Sequence, residues 1–282
     1  MRTVRTRAEL RGAVAQLRAA GHRIGLVPTM GWLHDGHLSL VSHARARASA
    51  NVMSIFVNPL QFGPNEDLAA YPRDLARDTK LAEDAGVDLL FAPDVETMYP
   101  TGEPIVRVVP GPIGDVLDGK YRPGHFDGVL TVVMKLFNLV GPDVAVFGRK
   151  DYQQATLIRR MVADLDMPLE IVVAPSVRAG DGLALSSRNG YLSPEQRTQA
   201  LALYRSLRAG AAAFESGERD AGSILAAARG VLDGEPGARV QYLELVHPDT
   251  LETLERAEAG SVLAVAAFVG KTRLIDNIVL GE

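Results

Sequence analysis

The sequence predicts an α/β protein built on a doubly wound, Rossmann-like parallel sheet, with a second, smaller α+β domain behind it. Three observations carry that prediction. Short apolar runs alternate with longer helical patterns through residue 175. Two of those runs end in glycine-containing turns that open directly into a helix. After Pro175 the alternation stops, and a polar stretch of Gly, Asp, Ser, Arg and Asn extends to Gly190. The boundary is therefore expected near 176, dividing the 282 residues into 1–176 and 177–282.

Taken in order, the N-terminal residues lead into a polar-apolar helical pattern, not the continuous apolar core of a signal segment. Strands are expected at 24–27, 52–57, 88–92, 144–147 and 169–174. Helices are expected around 36–50, 73–86, 125–140 and 151–166. Strands that are apolar throughout, each followed by a helix, imply a parallel sheet covered on both faces through right-handed crossovers. Past the boundary, Ser193 can cap a helix, Pro194 suits its first position and Gln196 completes a capping box. The alanine-rich pattern should carry that helix to about 216. Apolar runs at 239–246 and 261–269 look like antiparallel strands, and 271–277 leads into a third.

Composition narrows the function classes. A formal net charge of -4 supplies no global basic field for nucleic acid, although a local basic pocket for a small anion remains compatible with it. With no cysteine, disulfides and thiolate catalysis are excluded. No apolar run is long enough to span a bilayer, so neither a nucleic-acid nor a membrane partner is expected, and the chain reads as cytoplasmic.

The densest chemistry lies at 28–40, where His34 and His37 stand three apart in a turn that also holds Gly31 and Gly36, after one apolar run and at the start of a helical pattern. A turn of this kind lets backbone approach a ligand and presents free N–H groups to a phosphate. Two imidazoles one helical turn apart can hydrogen-bond phosphate oxygens and balance charge as pyrophosphate leaves. Metal ligation and simple helix capping are the alternatives, although the zinc signature with a glutamate beside the first histidine is absent.

A second strand–turn–helix string, 147–154, offers Gly148 for close approach, Lys150 as a point charge, Asp151 for a ribose hydroxyl or a cap, and Gln154 as an uncharged amide. Ser186, Ser187, Arg188 and Asn189 form a hydroxyl-and-guanidinium set suited to polyphosphate, in a segment able to close over a nucleotide. At 56–63, Asn58 and Gln61 bring amides to the end of the second strand; Asn58 is equally readable as a turn starter and Gln61 is the better ligand candidate. In the string at 121–128, Arg122 can bind an anion and His125 can cap the following helix.

Together these strings resemble the pantothenate synthetase (pantoate–β-alanine ligase) family. The resemblance rests on Pro-Thr-Met-Gly-x-Leu-His-x-Gly-His at 28–37, Phe-Val-Asn-Pro-x-Gln-Phe at 56–62 and Tyr-Arg-Pro-Gly-His-Phe-Asp-Gly-Val at 121–129. Phe-Gly-x-Lys-Asp-Tyr-Gln-Gln at 147–154, Ser-Ser-Arg-Asn at 186–189 and Thr-Arg-Leu-Ile-Asp-Asn at 272–277 extend it along the chain. It implies an ATP site made of Met30, Gly31, Trp32, Leu33, His34, Asp35, Gly36 and His37, completed by Gly148, Arg149, Lys150, Asp151, Val177, Leu185, Ser186, Ser187 and Arg188. His37, His34, Lys150 and Arg188 would be catalytic. Gln61 and Gln154 would hold pantoate, and Gln61 would also meet β-alanine.

The resemblance further implies ATP as substrate, with Mg2+ whose protein ligands it does not identify, a pantoyl-adenylate intermediate, and a homodimer formed through the larger domain. Residues 1–176 would then be the nucleotide-binding and catalytic domain, and 177–282 a lid. Trp32 and Leu185 depart from the family's common residues without changing a reacting group. A nucleotidyltransferase for a phosphorylated acceptor would share the histidine pair, but it should carry further cations where this chain has Gln61 and Gln154.

Overall fold

The computed structural model describes residues 1–64 and 66–282, and its larger sheet has six strands, all parallel, in the order β1-β4-β3-β2-β5-β6. The strands are β1 (Arg2–Val4), β2 (Ile24–Thr29), β3 (Ala50–Ile55), β4 (Leu89–Phe91), β5 (Val144–Gly148) and β6 (Glu170–Ala174). Five correspond to the runs read from sequence. The sixth, β1, escapes that reading because three residues at a sheet edge show no periodicity. The histidine motif therefore follows the second strand of the chain.

Between the strands lie α1 (Arg7–Ala19), α2 (Asp35–Arg45), α3 (Leu75–Asp84), α4 (Val95–Met98), α5 (Leu117–Tyr121), α6 (His125–Val140) and α7 (Tyr152–Asp164). The four helices expected around 36–50, 73–86, 125–140 and 151–166 are present. Of these, α2 stops at Arg45 because four residues must turn to reach β3. Likewise β3 ends at Ile55, two residues before the expected end, because Asn58 and Pro59 divert the chain into a 3-10 turn at Pro59–Gln61.

Alternation along the strands explains how both faces are buried. Ile24, Leu26, Val52, Leu89, Phe91, Ala145 and Phe147 point toward α1, α6 and α7, while Val27, Met53, Leu90, Val144 and Val146 pack on the side of α2 and α3. On the first of those faces α6 contributes Leu130, Val133, Leu136 and Phe137.

The smaller sheet is antiparallel, in the order β7-β8-β9, with β7 (Ala238–Val246), β8 (Val262–Val269) and β9 (Thr272–Val279). Helices α8 (Pro194–Glu215) and α9 (Ala221–Asp233) pack their alanine, leucine and isoleucine faces against it. The predicted start of α8 is borne out in detail: the Ser193 side chain accepts from the Gln196 N–H at 3.2 Å, and Gln196 accepts from the Ser193 N–H at 3.1 Å. Among the described residues, no helix is long and apolar enough to cross a membrane.

Candidate active site

The order of the larger sheet creates the site. From β2 the chain proceeds outward to β3 and β4 on one side, and from β5 to β6 on the other, so β2 and β5 flank the switch point where such sheets bind ligands. Only Gly25 and Leu26 of β2 pair with β5. Pro28 thus lies past the last β5 partner, where its missing N–H leaves no gap in that ladder. Above this crevice is a cleft of about 220 Å³, lined from β2–α2 by Met30, His34, Gly36 and His37, and from β5–α7 by Gly148, Lys150, Asp151 and Gln154. Val177 and Leu185 to Arg188 close another side, brought together by the Leu185 N–H donating to the Val177 carbonyl at 2.9 Å.

His34 is the N-cap of α2 and His37 its third residue. The His34 backbone N–H donates to His37 Nδ1 at 3.3 Å, and the two rings stand 4.0 Å apart. Burial, reinforced by His34, pushes His37 down to about 3. Burial, reinforced by Lys150, holds His34 at about 4. Both imidazoles are therefore neutral near pH 7. Because His37 Nδ1 is an acceptor, its proton resides on Nε2, leaving a neutral donor for the cleft. His34 Nδ1 is buried with no partner among the described residues.

The positive groups are already paired. Lys150 Nζ is 3.1 Å from Asp151 Oδ1; burial raises the Asp151 carboxyl, but Lys150, Arg188 and His37 outweigh it and hold it below the usual range. Arg188 forms a bidentate pair with Asp67 at 2.9 and 2.8 Å. Ser186 accepts from the Arg188 N–H, and Ser187 Oγ donates to the Trp32 carbonyl at 3.3 Å.

The amides have distinct tasks. Asn58 is structural: its Nδ2 donates to Gln61 Oε1 and the Gly128 carbonyl, both at 3.1 Å, and its Oδ1 accepts from Tyr99 OH at 2.7 Å. This aims Gln61 Nε2 into the cleft, where among the described residues it meets only the Met30 sulfur at 3.1 Å. Gln154 also lines the cleft.

The string at 121–128 acquires a role that sequence did not disclose. Gly124 is the N-cap of α6, so His125 is not the cap; its Nδ1 donates to the Gln61 carbonyl at 2.8 Å while its Nε2 accepts from Arg122 at 2.9 Å. Burial beside Arg122 holds His125 at about 4. Arg122 is itself engaged by Glu66 through two 2.6 Å contacts.

Five residues assigned to the nucleotide by resemblance do not line the cleft: Gly31, Trp32, Leu33, Asp35 and Arg149. Leu33 is fully buried, and Arg149 points to Glu282 at the C-terminus. Conversely Ser54, Tyr71 and Ser176 line it without having been singled out. Ser54 and Ser176 each carry a buried hydroxyl that has no partner among the described residues. A serine inside the apolar run of β3 was a legible signal for the first.

A profile of the pantoate-beta-alanine ligase family matches residues 2–279. Pantothenate synthetase 1 of Bradyrhizobium diazoefficiens is 56% identical over 282 residues, covering 99% of this chain and 98% of the relative. That of Moorella thermoacetica is 54% identical over 280 residues, covering 99% of each. The crystal structure of pantothenate synthetase from Thermus thermophilus superposes with a TM-score of 0.94 at 52% identity, covering 99% of each chain. A pantoate-beta-alanine ligase from Francisella tularensis, complexed with beta-gamma ATP and beta-alanine, gives 0.81 at 34% identity, over 99% of this chain and 97% of that one.

Proposed function

The chain belongs to the pantoate–β-alanine ligase family and joins pantoate to β-alanine using ATP, and from that premise we propose that the β2/β5 cleft performs the reaction in two steps through pantoyl adenylate. In the first, a pantoate carboxylate oxygen attacks the α-phosphorus of ATP and pyrophosphate leaves. In the second, the β-alanine amine attacks the mixed anhydride, forms the amide and releases AMP. No covalent nucleophile is required of the protein, so positioning and charge stabilisation supply the rate.

The observation that carries this reading is the neutral histidine pair at the head of α2, beside Lys150. His37 Nε2–H and His34 hydrogen-bond the triphosphate, and Lys150, Ser186, Ser187 and Arg188 balance the charge that develops on pyrophosphate. Gln61, aimed by Asn58 and His125, and Gln154 hold pantoate through its hydroxyl and carboxylate groups. Gln61 also meets β-alanine. Val177 and Leu185 flank the nucleoside.

Magnesium enters with the substrate as MgATP. Among the described residues no cluster of three or more His, Cys, Asp or Glu forms a protein cage, and Asp151 is the carboxylate in the cleft lining. A single carboxylate suits an ion held mainly by phosphates and water. The same reading divides the chain near 176 into a catalytic domain and a lid, each with its own buried cluster. It makes the protein a cytoplasmic homodimer, joined through the larger domain, where Ile105, Val106 and Val109 are exposed.

The test is incubation with ATP, magnesium and pantoate, with and without β-alanine. Pantoate alone should support exchange of labelled pyrophosphate into ATP, and β-alanine should convert the mixture to AMP and pantothenate. Ligation without any pantoate-dependent exchange would sink the adenylate step.

A further inference from the structure

The turn that carries the histidine pair is held from behind by a carboxylate that does not line the cleft. Asp78, on α3, is 1% exposed. Its Oδ2 accepts the Trp32 N–H at 2.6 Å and its Oδ1 accepts the Leu33 N–H at 2.9 Å. Two successive backbone donors converge on one carboxylate where the chain turns through two positive φ values, 83° at Gly31 and 49° at Trp32.

Trp32 is an L-residue in the left-handed region, a conformation that persists only when surrounding contacts impose it. A Cβ at Gly31 would be crowded, 3.0 Å from both Asp78 Oδ2 and the Ile55 side chain, on a backbone whose φ of 83° already strains an L-residue. Arg77 completes the arrangement. It contacts Asp78 Oδ1 at 3.1 Å, donates to the Leu33 carbonyl at 2.8 Å and lies 5.0 Å from the Trp32 ring.

We propose that Asp78 is a positioning residue for the nucleotide step, an internal anion that accepts the Trp32 and Leu33 N–H groups and thereby sets His34 and His37 at the head of α2. The N–H groups of residues 32 and 33, which a glycine-rich turn before a helix leads one to offer to phosphate, are turned away from the cleft and satisfied inside the protein. The turn is preorganised before ATP arrives. Trp32 finds its place here as well, as the residue whose backbone N–H is turned onto Asp78 and whose ring is covered by Arg77. Pantoate binding does not depend on this device, because Gln61 is held from the opposite side by Asn58 and His125.

The inference rests on the assignment of His34 and His37 to the triphosphate. D78N keeps the side-chain volume but turns an NH2 group toward one of the two backbone donors. Pantoate-dependent pyrophosphate exchange and kcat/KM for ATP should fall about 10- to 100-fold, the scale of a displaced catalytic group, with the KM for pantoate near wild type. Equal losses for both substrates, or wild-type ATP parameters, overturn the proposal.

Should D78N fail to fold, R77M decides. Its side chain is substantially exposed, so the fold survives, and it should raise the KM for ATP alone; unchanged ATP parameters there also overturn the proposal. H37A separates the two readings. A wild-type-like H37A sinks the histidine assignment, whereas an inactive H37A beside a wild-type-like D78N sinks only the role of Asp78.

Discussion

At the scale of single residues, the proposed chemistry rests on two imidazoles that burial keeps neutral near pH 7. H37A should lower pantoate-dependent pyrophosphate release by about 100- to 1000-fold, as removal of one preorganised donor does elsewhere, while ATP still binds. Rapid-quench measurement of the first turnover checks this directly. The same burial has a consequence for stability. His34, His37 and His125 titrate near 6.5 when unfolded but at about 4, 3 and 4 in the folded protein. Between those values the unfolded chain binds more protons, so this contribution is complete above pH 6.5 and is lost as pH falls toward 4. Urea midpoints of the free protein should decline over that window, and H125N should flatten the decline. Residue types were legible in sequence at His34, His37, Lys150, Arg188 and Gln61. The carboxylates that brace the site were not: Asp67 on Arg188, Glu66 on Arg122, and Asp78 on the Trp32 and Leu33 N–H groups, because nothing local links, for example, position 78 to position 32.

At the scale of elements, the N-terminal half of α6 is the clamp for the turn at 58–61. A Cβ on Gly128 would fall 2.2 Å from the Leu60 carbonyl oxygen and 2.7 Å from the Gln61 nitrogen. G128A should therefore displace Gln61, raising the KM for pantoate far more than that for ATP, with an overpacking cost of about 1–3 kcal/mol in unfolding experiments. Steady-state kinetics with each substrate varied in turn would show the asymmetry. Periodicity made α6 and the α8 cap readable, since sixteen residues of amphipathic pattern and a Ser-Pro-x-Gln start are strong local signals. The short β1 and α5 carry no such pattern and form because β4 and Gln153 receive them.

At the scale of the whole molecule, the smaller sheet reaches back to shape the larger one's active turn. Asn277 of β9 donates through Nδ2 to the Arg149 and Lys150 carbonyls at 3.0 and 2.8 Å, while Arg178, just past β6, pairs with Asp276 at 2.6 and 2.9 Å. N277A would leave two carbonyls without their donor, costing about 1–3 kcal/mol of stability and raising the KM for ATP by loosening Lys150; calorimetry and kinetics on the same preparation test both. The two sheets were legible as runs of sequence. The placement of β2 beside β5, which makes the cleft, is a property of strand order and leaves no trace in any one segment.

The carboxylates of Asp67 and Glu66, seated on Arg188 and Arg122, give the rim of the cleft its own counterions. With those cations already neutralised, the rim presents little field at a distance, so a charged substrate should be met by shape and short-range contacts more than by long-range attraction. A small anion such as sulfate, which reaches few of those contacts, should therefore compete weakly with ATP.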